Sequence, residues 1–402
     1  MTIRQDHQNN SIIGNQLISQ RLLAGSMLIS ATGTNIILVA LSVGFFQESA
    51  SALGAAGVYV AQFLPIFILM PVAWKLADRY EPKRTLIGLE LGAGVATLMV
   101  GLSVATGSFY LAYALLFVRG FFDMTTKVAR NVALKSYLDD EHIDRANNIV
   151  MTCNYIGQAL GAVIGFALIS VLSMTSIAMA NAATYVISSL VCLLLPVVSA
   201  IRSDTGGYTS LFIRGKKALL ADTTILHSMI ILVFSVIFLQ AYNQVARVWL
   251  PLAWLELPPQ YGAVSEAIGV LGIVAGVAFV NFCFTGDRNA AAPLSLIFVA
   301  ACITMITPFI STVPAITFVF YFMFMFAFEV AFMVSMNRIL KNADRGDVPC
   351  LMVIFYGTAF GGMALTTILM GLATDHFGLL PVAAALATIA AIATLAVRKL
   401  EP

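Results

Sequence analysis

Between residues 146 and 201 this chain carries no charged side chain at all, and between 86 and 118 it carries one, Glu90. About 20 apolar residues suffice to cross a bilayer as a helix, so runs of this length hold one or two crossings each. The whole chain follows suit. Hydrophobic residues make up 60% of it and charged ones 10%, where a soluble domain carries about 25% charged residues. A water-soluble fold is excluded, because too few polar side chains exist to cover it.

Reading apolar runs between charges and Gly/Pro punctuation predicts twelve helices, at 22–46, 52–74, 85–106, 109–129, 147–171, 176–198, 225–249, 262–284, 293–311, 314–337, 349–371 and 379–397. The longest non-apolar gap, 201–224, divides them six and six. The predicted organisation is therefore a tail at 1–21, a six-helix bundle at 22–200, a linker at 201–224, a second six-helix bundle at 225–398 and a tail at 399–402. Met1 to Gln20 lack the apolar core of a signal peptide and read as a cytoplasmic tail.

Basic residues orient such a chain, since cytoplasmic loops collect Lys and Arg. With the N-terminus inside, all of the 22 Lys and Arg except Arg119 and Arg247 fall on the inner side, and those two lie within predicted helices. Both termini are then cytoplasmic and an even helix count is required. The net charge of +2 reflects this placement and implies no nucleic-acid partner. The cysteines (Cys153, Cys192, Cys283, Cys302, Cys350) lie in or beside apolar segments without metal-binding or redox spacing. No phosphate loop, nucleophile elbow or zinc-helix motif is present, and the four His are dispersed. Nothing here calls for a cofactor, a metal or an enzyme.

The halves echo each other, as in transporters built from repeats. Asp78-Arg79 after the second helix is matched by Asp287-Arg288 after the eighth. Leu134-Lys135 is matched by Leu340-Lys341, and Gly157-Gln158-Ala159-Leu160-Gly161-Ala162 by Gly357-Thr358-Ala359-Phe360-Gly361-Gly362, all at offsets of about 200 residues.

Leu76-Ala77-Asp78-Arg79-Tyr80 followed by Lys83-Arg84 resembles the loop between helices two and three of the major facilitator superfamily, with Trp74 and Glu81 where that family has glycines. The resemblance covers the whole chain. It implies an all-α membrane fold of twelve helices in two pseudo-symmetric bundles, a midplane cavity lined by helices 1, 4, 7 and 10, and alternating access. It also implies a gating role for Asp78, Arg79, Lys83 and Arg84. Gly157 to Ala162 is similar to the helix-five element of drug and metabolite exporters. Together with Asp139 to Arg145 and Ala146-Asn147-Asn148, it most resembles the branch of enterobactin-type siderophore exporters and macrolide efflux proteins, with lysophospholipid transporters also similar.

A charged side chain at a helix centre costs about 2.5–3.5 kcal/mol on insertion scales and is rarely left facing lipid. Arg119, Asp123 and Lys127 follow at four-residue steps on one face of the fourth helix. Two readings stay open: a self-neutralising Arg119–Asp123 pair, or an Arg119 that receives an anionic substrate group with Asp123 as its proton-responsive partner. Glu329, in an apolar stretch of the tenth helix, is a second candidate proton carrier, whereas Glu90 reads as a structural ion partner. Asn35 on helix one and Asn243, Gln244 and Arg247 on one face of helix seven are further substrate-contact candidates. The amides also suit plain helix-to-helix bonding, and Arg247 suits snorkelling to the interface.

The expectation is a monomeric secondary transporter in the bacterial inner membrane, exporting an organic small molecule such as an anionic siderophore by proton antiport. Its partners are its small-molecule substrate, protons and the bilayer. Drug or amphiphile efflux, siderophore uptake and lysophospholipid flipping are the alternatives.

Overall fold

The computed structural model describes residues 2–49, 52–169, 171–199, 208–258, 261–284 and 293–400. Among these, regular structure is helical throughout. In chain order the helices are α1 (Thr2–Ser49), α2 (Ala52–Ile68), α3 (Met70–Arg79), α4 (Pro82–Ala105), α5 (Phe109–Tyr137), α6 (Asp140–Ile169), α7 (Met174–Leu193) and α8 (Tyr208–Ala221). There follow α9 (Thr223–Phe234), α10 (Ala241–Trp249), α11 (Tyr261–Cys283), α12 (Leu294–Thr304), α13 (Pro314–Asn342), α14 (Val348–Phe377) and α15 (Leu379–Val397). The π-helical stretches Ser235–Gln240 and Leu250–Trp254 flank α10 and keep the path from α9 to Trp254 continuous.

Every one of the twelve predicted segments has a helical counterpart here. Among the described residues, eight helices are long and apolar enough to cross a membrane, and a ninth crossing results if α2 and α3 are one span. The others are more polar or shorter: α5 carries charges along its length, α6 has four charges in its first six residues followed by Asn147, Asn148, Asn154 and Gln158, and α12 is short, continuing into the 3-10 turn Thr307–Ile310.

The predicted single helix at 52–74 is broken. It bends by 67° between Ile68 and Met70. Pro71 has no N–H to offer the carbonyl one turn back, and it disfavours helical geometry at the residue before it. The 201–224 gap contains α8, whose Leu211, Gly215 and Ala218 are buried along one face while Lys216 and Lys217 are exposed. The Asp287-Arg288 half of the repeat lies outside the described residues.

The chain divides into two compact units, one of Met1–Pro65, Leu69–Leu211 and Asp344–Val353, the other of Ile66–Ile68, Phe212–Ala343 and Ile354–Pro402. In the first, α1 packs along α6 and α7, and α4 lies between α5 and α7. The α1–α6 seam is closed by glycines. A β-carbon on Gly157 would sit 2.6 Å from the Leu28 carbonyl oxygen, and one on Gly165 would sit 3.1 Å from that of Ile36. Small residues let backbones approach this closely, which is what holds helices together where lipid offers no hydrophobic drive.

Two apolar layers fill this unit. One gathers Leu23, Met27, Leu86, Leu89, Leu134 and Cys192; the other gathers Ile36, Leu41, Val100, Leu116 and Ile177. On α1, α4, α5 and α7 alike, the residues between the layers are polar and buried: Ser30 and Thr34, Glu90 and Thr97, Arg119 and Asp123, Tyr185 and Ser188. The second unit is built on α13, which packs against α9, α11 and α12, while α12 packs on α15. In both units the helix of the third predicted segment thus contacts those of the fourth and sixth. That recurrence is the structural form of the sequence echo.

Candidate functional site

The polar layer of the first unit contains a closed hydrogen-bonded ring. Arg119 donates from Nη1 to Gln62 Oε1 at 2.5 Å and from Nη2 to the Tyr185 hydroxyl at 3.0 Å. Gln62 Nε2 donates to Asp123 Oδ2 at 2.9 Å, and Thr34 Oγ1 donates to Asp123 Oδ1 at 3.2 Å. Thr34 and Tyr185 close the circuit at 2.9 Å. Each hydroxyl has one proton, and Thr34 spends its own on the carboxylate, so Tyr185 donates to Thr34 while accepting from Arg119. Two directed paths therefore lead from guanidinium to carboxylate, one through an amide and one through two hydroxyls. The ring ties together α1, α2, α5 and α7.

Local sequence places these groups. Arg119, Asp123 and Lys127 share one face of α5 because four residues make about one turn. Gly120, next on that helix, lies so close to the α2 backbone at Gln62 that a β-carbon there would stand 2.8 Å from the Gln62 carbonyl carbon. The approach brings the Gln62 amide within reach of both Arg119 and Asp123. Arg119 also donates from Nε to Thr97 Oγ1 at 3.1 Å, and its centre lies 5.9 Å from the Tyr185 ring centroid.

Arg119 is 0% exposed. An Arg119 that itself receives a cargo anion does not fit this geometry, since all three guanidinium nitrogens are committed to neighbours within the same unit. Nor is there a direct pair with Asp123 at contact distance; Gln62 stands between them. The direct ionic neighbour of Asp123 is Lys127, at 3.6 Å.

One turn further toward the C-terminal end of α5, Arg130 pairs with Glu90, both buried, and Ser30 donates to Glu90 Oε2 at 3.1 Å. Glu90 is the ion partner its sequence setting suggests.

In the second unit, Asn243 accepts from the Tyr321 hydroxyl at 2.5 Å. Arg247 binds Glu266 of α11 at 3.0 Å. Gln244 is half-buried. Glu329 is fully buried in α13 against α11, where a β-carbon on Gly276 would lie 2.9 Å from its own β-carbon. Trp249 and Trp254 stack, Phe309 meets Trp254 edge-on, and Trp254 donates to the Ser311 carbonyl at 3.1 Å.

Asn35 is half-buried and returns its amide to the Ala31 carbonyl at 3.1 Å. Where α3 gives way to α4, Asp78 is buried and Arg79 exposed at the end of α3, while Lys83 is partly exposed and Arg84 exposed at the start of α4, with Arg84 held 3.1 Å from Glu81. Sequence reasoning missed Gln62, Thr97, Tyr185 and Glu266. Gln62 had a readable signal: within 52–74 it is the one amide in an otherwise apolar run.

Comparison with known proteins places this geometry. Residues 23–346 match the Major Facilitator Superfamily. A relative in Bacillus subtilis (strain 168), the uncharacterized MFS-type transporter YfiS, is 28% identical over 175 residues, which is 43% of this chain and 41% of that protein. This chain thus aligns with less than half the length of that relative. Among solved structures, the human organic anion transporter MFSD10 (TETRAN) matches with a TM-score of 0.79 at 10% identity, over 96% of this chain and 99% of that one. The E. coli fucose:proton symporter FucP (N162A) matches with 0.74 at 13% identity over the same shares. A bacterial homologue of the iron transporter ferroportin in its outward-facing state matches with 0.70 at 13% identity, over 95% and 99%. At such identities the likeness concerns the fold.

Proposed function

Because this chain belongs to the major facilitator superfamily and is a multi-pass membrane transporter, we propose that it moves an organic small molecule by alternating access, coupled to protons through Asp123. One observation carries the reading: the ring around Asp123 has a bond pattern that one proton overturns. An ionised carboxylate only accepts hydrogen bonds, whereas a protonated one also donates. Thr34, Gln62 and Lys127 all approach Asp123 as donors, so protonation breaks or reverses at least one of these three contacts. A reversed bond at Thr34 turns the Thr34 proton toward Tyr185, which then loses its own donor role and shifts against Arg119. The charge state of one carboxyl is thereby felt on four helices, the kind of two-state element that coupling requires.

Glu329 is the second proton-carrier candidate, in the other unit. Asn35, Asn243, Gln244 and Arg247 are the proposed cargo contacts, and Asp78, Arg79, Lys83 and Arg84 the proposed gate. The basic-residue distribution supports an inner-membrane location with both termini cytoplasmic, and a monomer suffices for the mechanism. Outward movement of a siderophore-like metabolite, or of a drug or amphiphile, is the direction supported by the exporter resemblance of 139–148 and 157–162.

Two measurements test this. A deletion strain should lose a secreted metabolite under iron starvation or become more sensitive to drugs; an unchanged metabolite profile and unchanged susceptibility contradict export. In proteoliposomes, Asp123→Asn should abolish cargo accumulation driven by a pH gradient while sparing gradient-free exchange. Accumulation equal to wild type removes Asp123 from coupling.

A further inference from the structure

We infer that Lys127 receives the anionic group of an organic anion, which makes the cargo an anion held at this ammonium while Asp123 is protonated. The inference rests on the coupling reading of Asp123 and deepens it.

Charge and exposure point to Lys127 together. From Arg119 to Arg130, α5 carries three cations, Arg119, Lys127 and Arg130, against two buried carboxylates, Asp123 on the same helix and Glu90 on α4. Glu90 is taken by Arg130. Asp123 is shared among Gln62, Thr34 and Lys127. One positive charge is left over inside the helix bundle, where an uncompensated charge costs several kcal/mol.

Its place is not ambiguous. Arg119 and Arg130 are sealed, but the Lys127 side chain is 20% exposed. It is also the sole residue from Asp123 to Lys135 that is not buried. An ammonium group turned toward hydrocarbon is disfavoured, which favours an aqueous opening at the exposed part of this side chain. Its contact with Asp123, at 3.6 Å, is longer than the roughly 2.7–2.9 Å of a charge-assisted bond. Lys127 is thus the one cation of the stripe that is both reachable and loosely held.

The exchange follows from the same geometry. A proton added to Asp123 cancels its charge and ends the ion pair; the Lys127 ammonium then pairs with a carboxylate, phenolate or similar oxyanion of the cargo. The ionisable groups that act on it besides Asp123 are Arg130 and Arg119, of which Arg130 is paired with Glu90 and Arg119 is bound in the ring. Proton and anion therefore favour each other's binding, by the same factor in both senses. Anion affinity rises as pH falls, and the two travel in the same direction, so for an anionic cargo this inference selects uptake in place of the outward movement drawn from the exporter resemblance.

The test uses the full-length protein in proteoliposomes with a pH dye trapped inside. Benzoate, citrate, glucuronate and 2,3-dihydroxybenzoate are supplied as organic anions, with tetraphenylphosphonium and ethidium as organic cations, and flux is followed alongside internal pH. At least one anion should enter with protons. Lys127→Gln should weaken its apparent affinity by about tenfold to a hundredfold, the loss expected for one charged hydrogen bond, and Lys127→Arg should restore it. Monodisperse elution of both variants guards against misfolding. Proton-coupled movement of a cation alone, no movement of any anion, or an anion affinity unchanged in Lys127→Gln overturns the inference and leaves the coupling reading standing. Anion flux that ignores the pH gradient sinks the coupling reading instead.

Discussion

Asp123 and Glu90 are both buried carboxylates a few residues apart in depth, yet their partners assign them different work. Glu90 faces a single strong cation, Arg130, and a hydroxyl from Ser30. Removing one member of a buried pair strands the other, at about 3–5 kcal/mol. Glu90→Ala should therefore lower the unfolding temperature in detergent sharply, and a thermal-shift trace indistinguishable from wild type would show that the pair is not structural. Asp123 instead divides its oxygens among neutral donors and one loose lysine. Gln62 is the hinge of that arrangement, because the same amide accepts from Arg119 and donates to Asp123. Gln62→Leu should strand both and abolish proton-coupled flux in protein that still elutes as a monodisperse peak; retained coupling would show that the hydroxyl path through Thr34 and Tyr185 suffices. The stripe Arg119–Asp123–Lys127 was legible in the sequence because four-residue spacing fixes a shared helix face. Gln62, Thr97 and Tyr185 were not, because they belong to other helices and only packing brings them to that face. The same limit hid the sealing of Arg119: spacing tells which face a side chain occupies, and not what closes over it.

At the scale of helices, the α1–α6 seam is the firmest element-level prediction. Gly161 lies on the α6 ridge that meets the α1 backbone near Thr32, and a β-carbon there would also fall 2.8 Å from that of Asn35. Gly161→Val forces the two helices apart, at a cost of about 1–3 kcal/mol for overpacking, and because Thr34 rides on α1 it should also slow proton-coupled flux. Wild-type stability and flux would show that the seam yields freely. The break between α2 and α3 is an equally local matter. Apolar length alone predicted one helix, while Pro71 ends it after Ile68. Pro71→Ala should straighten the junction, read as a lengthened distance between spin labels at positions 60 and 78; an unchanged distance would place the cause of the bend in packing instead. Twelve helical segments were readable because charge-free runs of this length have no other use. The polar α5 and α6 were readable too, α5 through the apolar turns between its charges and α6 through the charge-free run after Arg145.

At the scale of the molecule, the fold belongs to a family of transporters, and the account turns on how a proton becomes movement. Burial of a polar layer between two apolar layers leaves the ring's bonds few, directed and sensitive to one proton. The most direct measurement is infrared difference spectroscopy on the reconstituted protein through a downward pH step, comparing wild type with Asp123→Asn. The account predicts a carboxylic-acid carbonyl band that grows in the wild type and is missing from the variant, with loss of carboxylate intensity to match. A band of the same size in Asp123→Asn would place the responsive proton elsewhere and contradict the account.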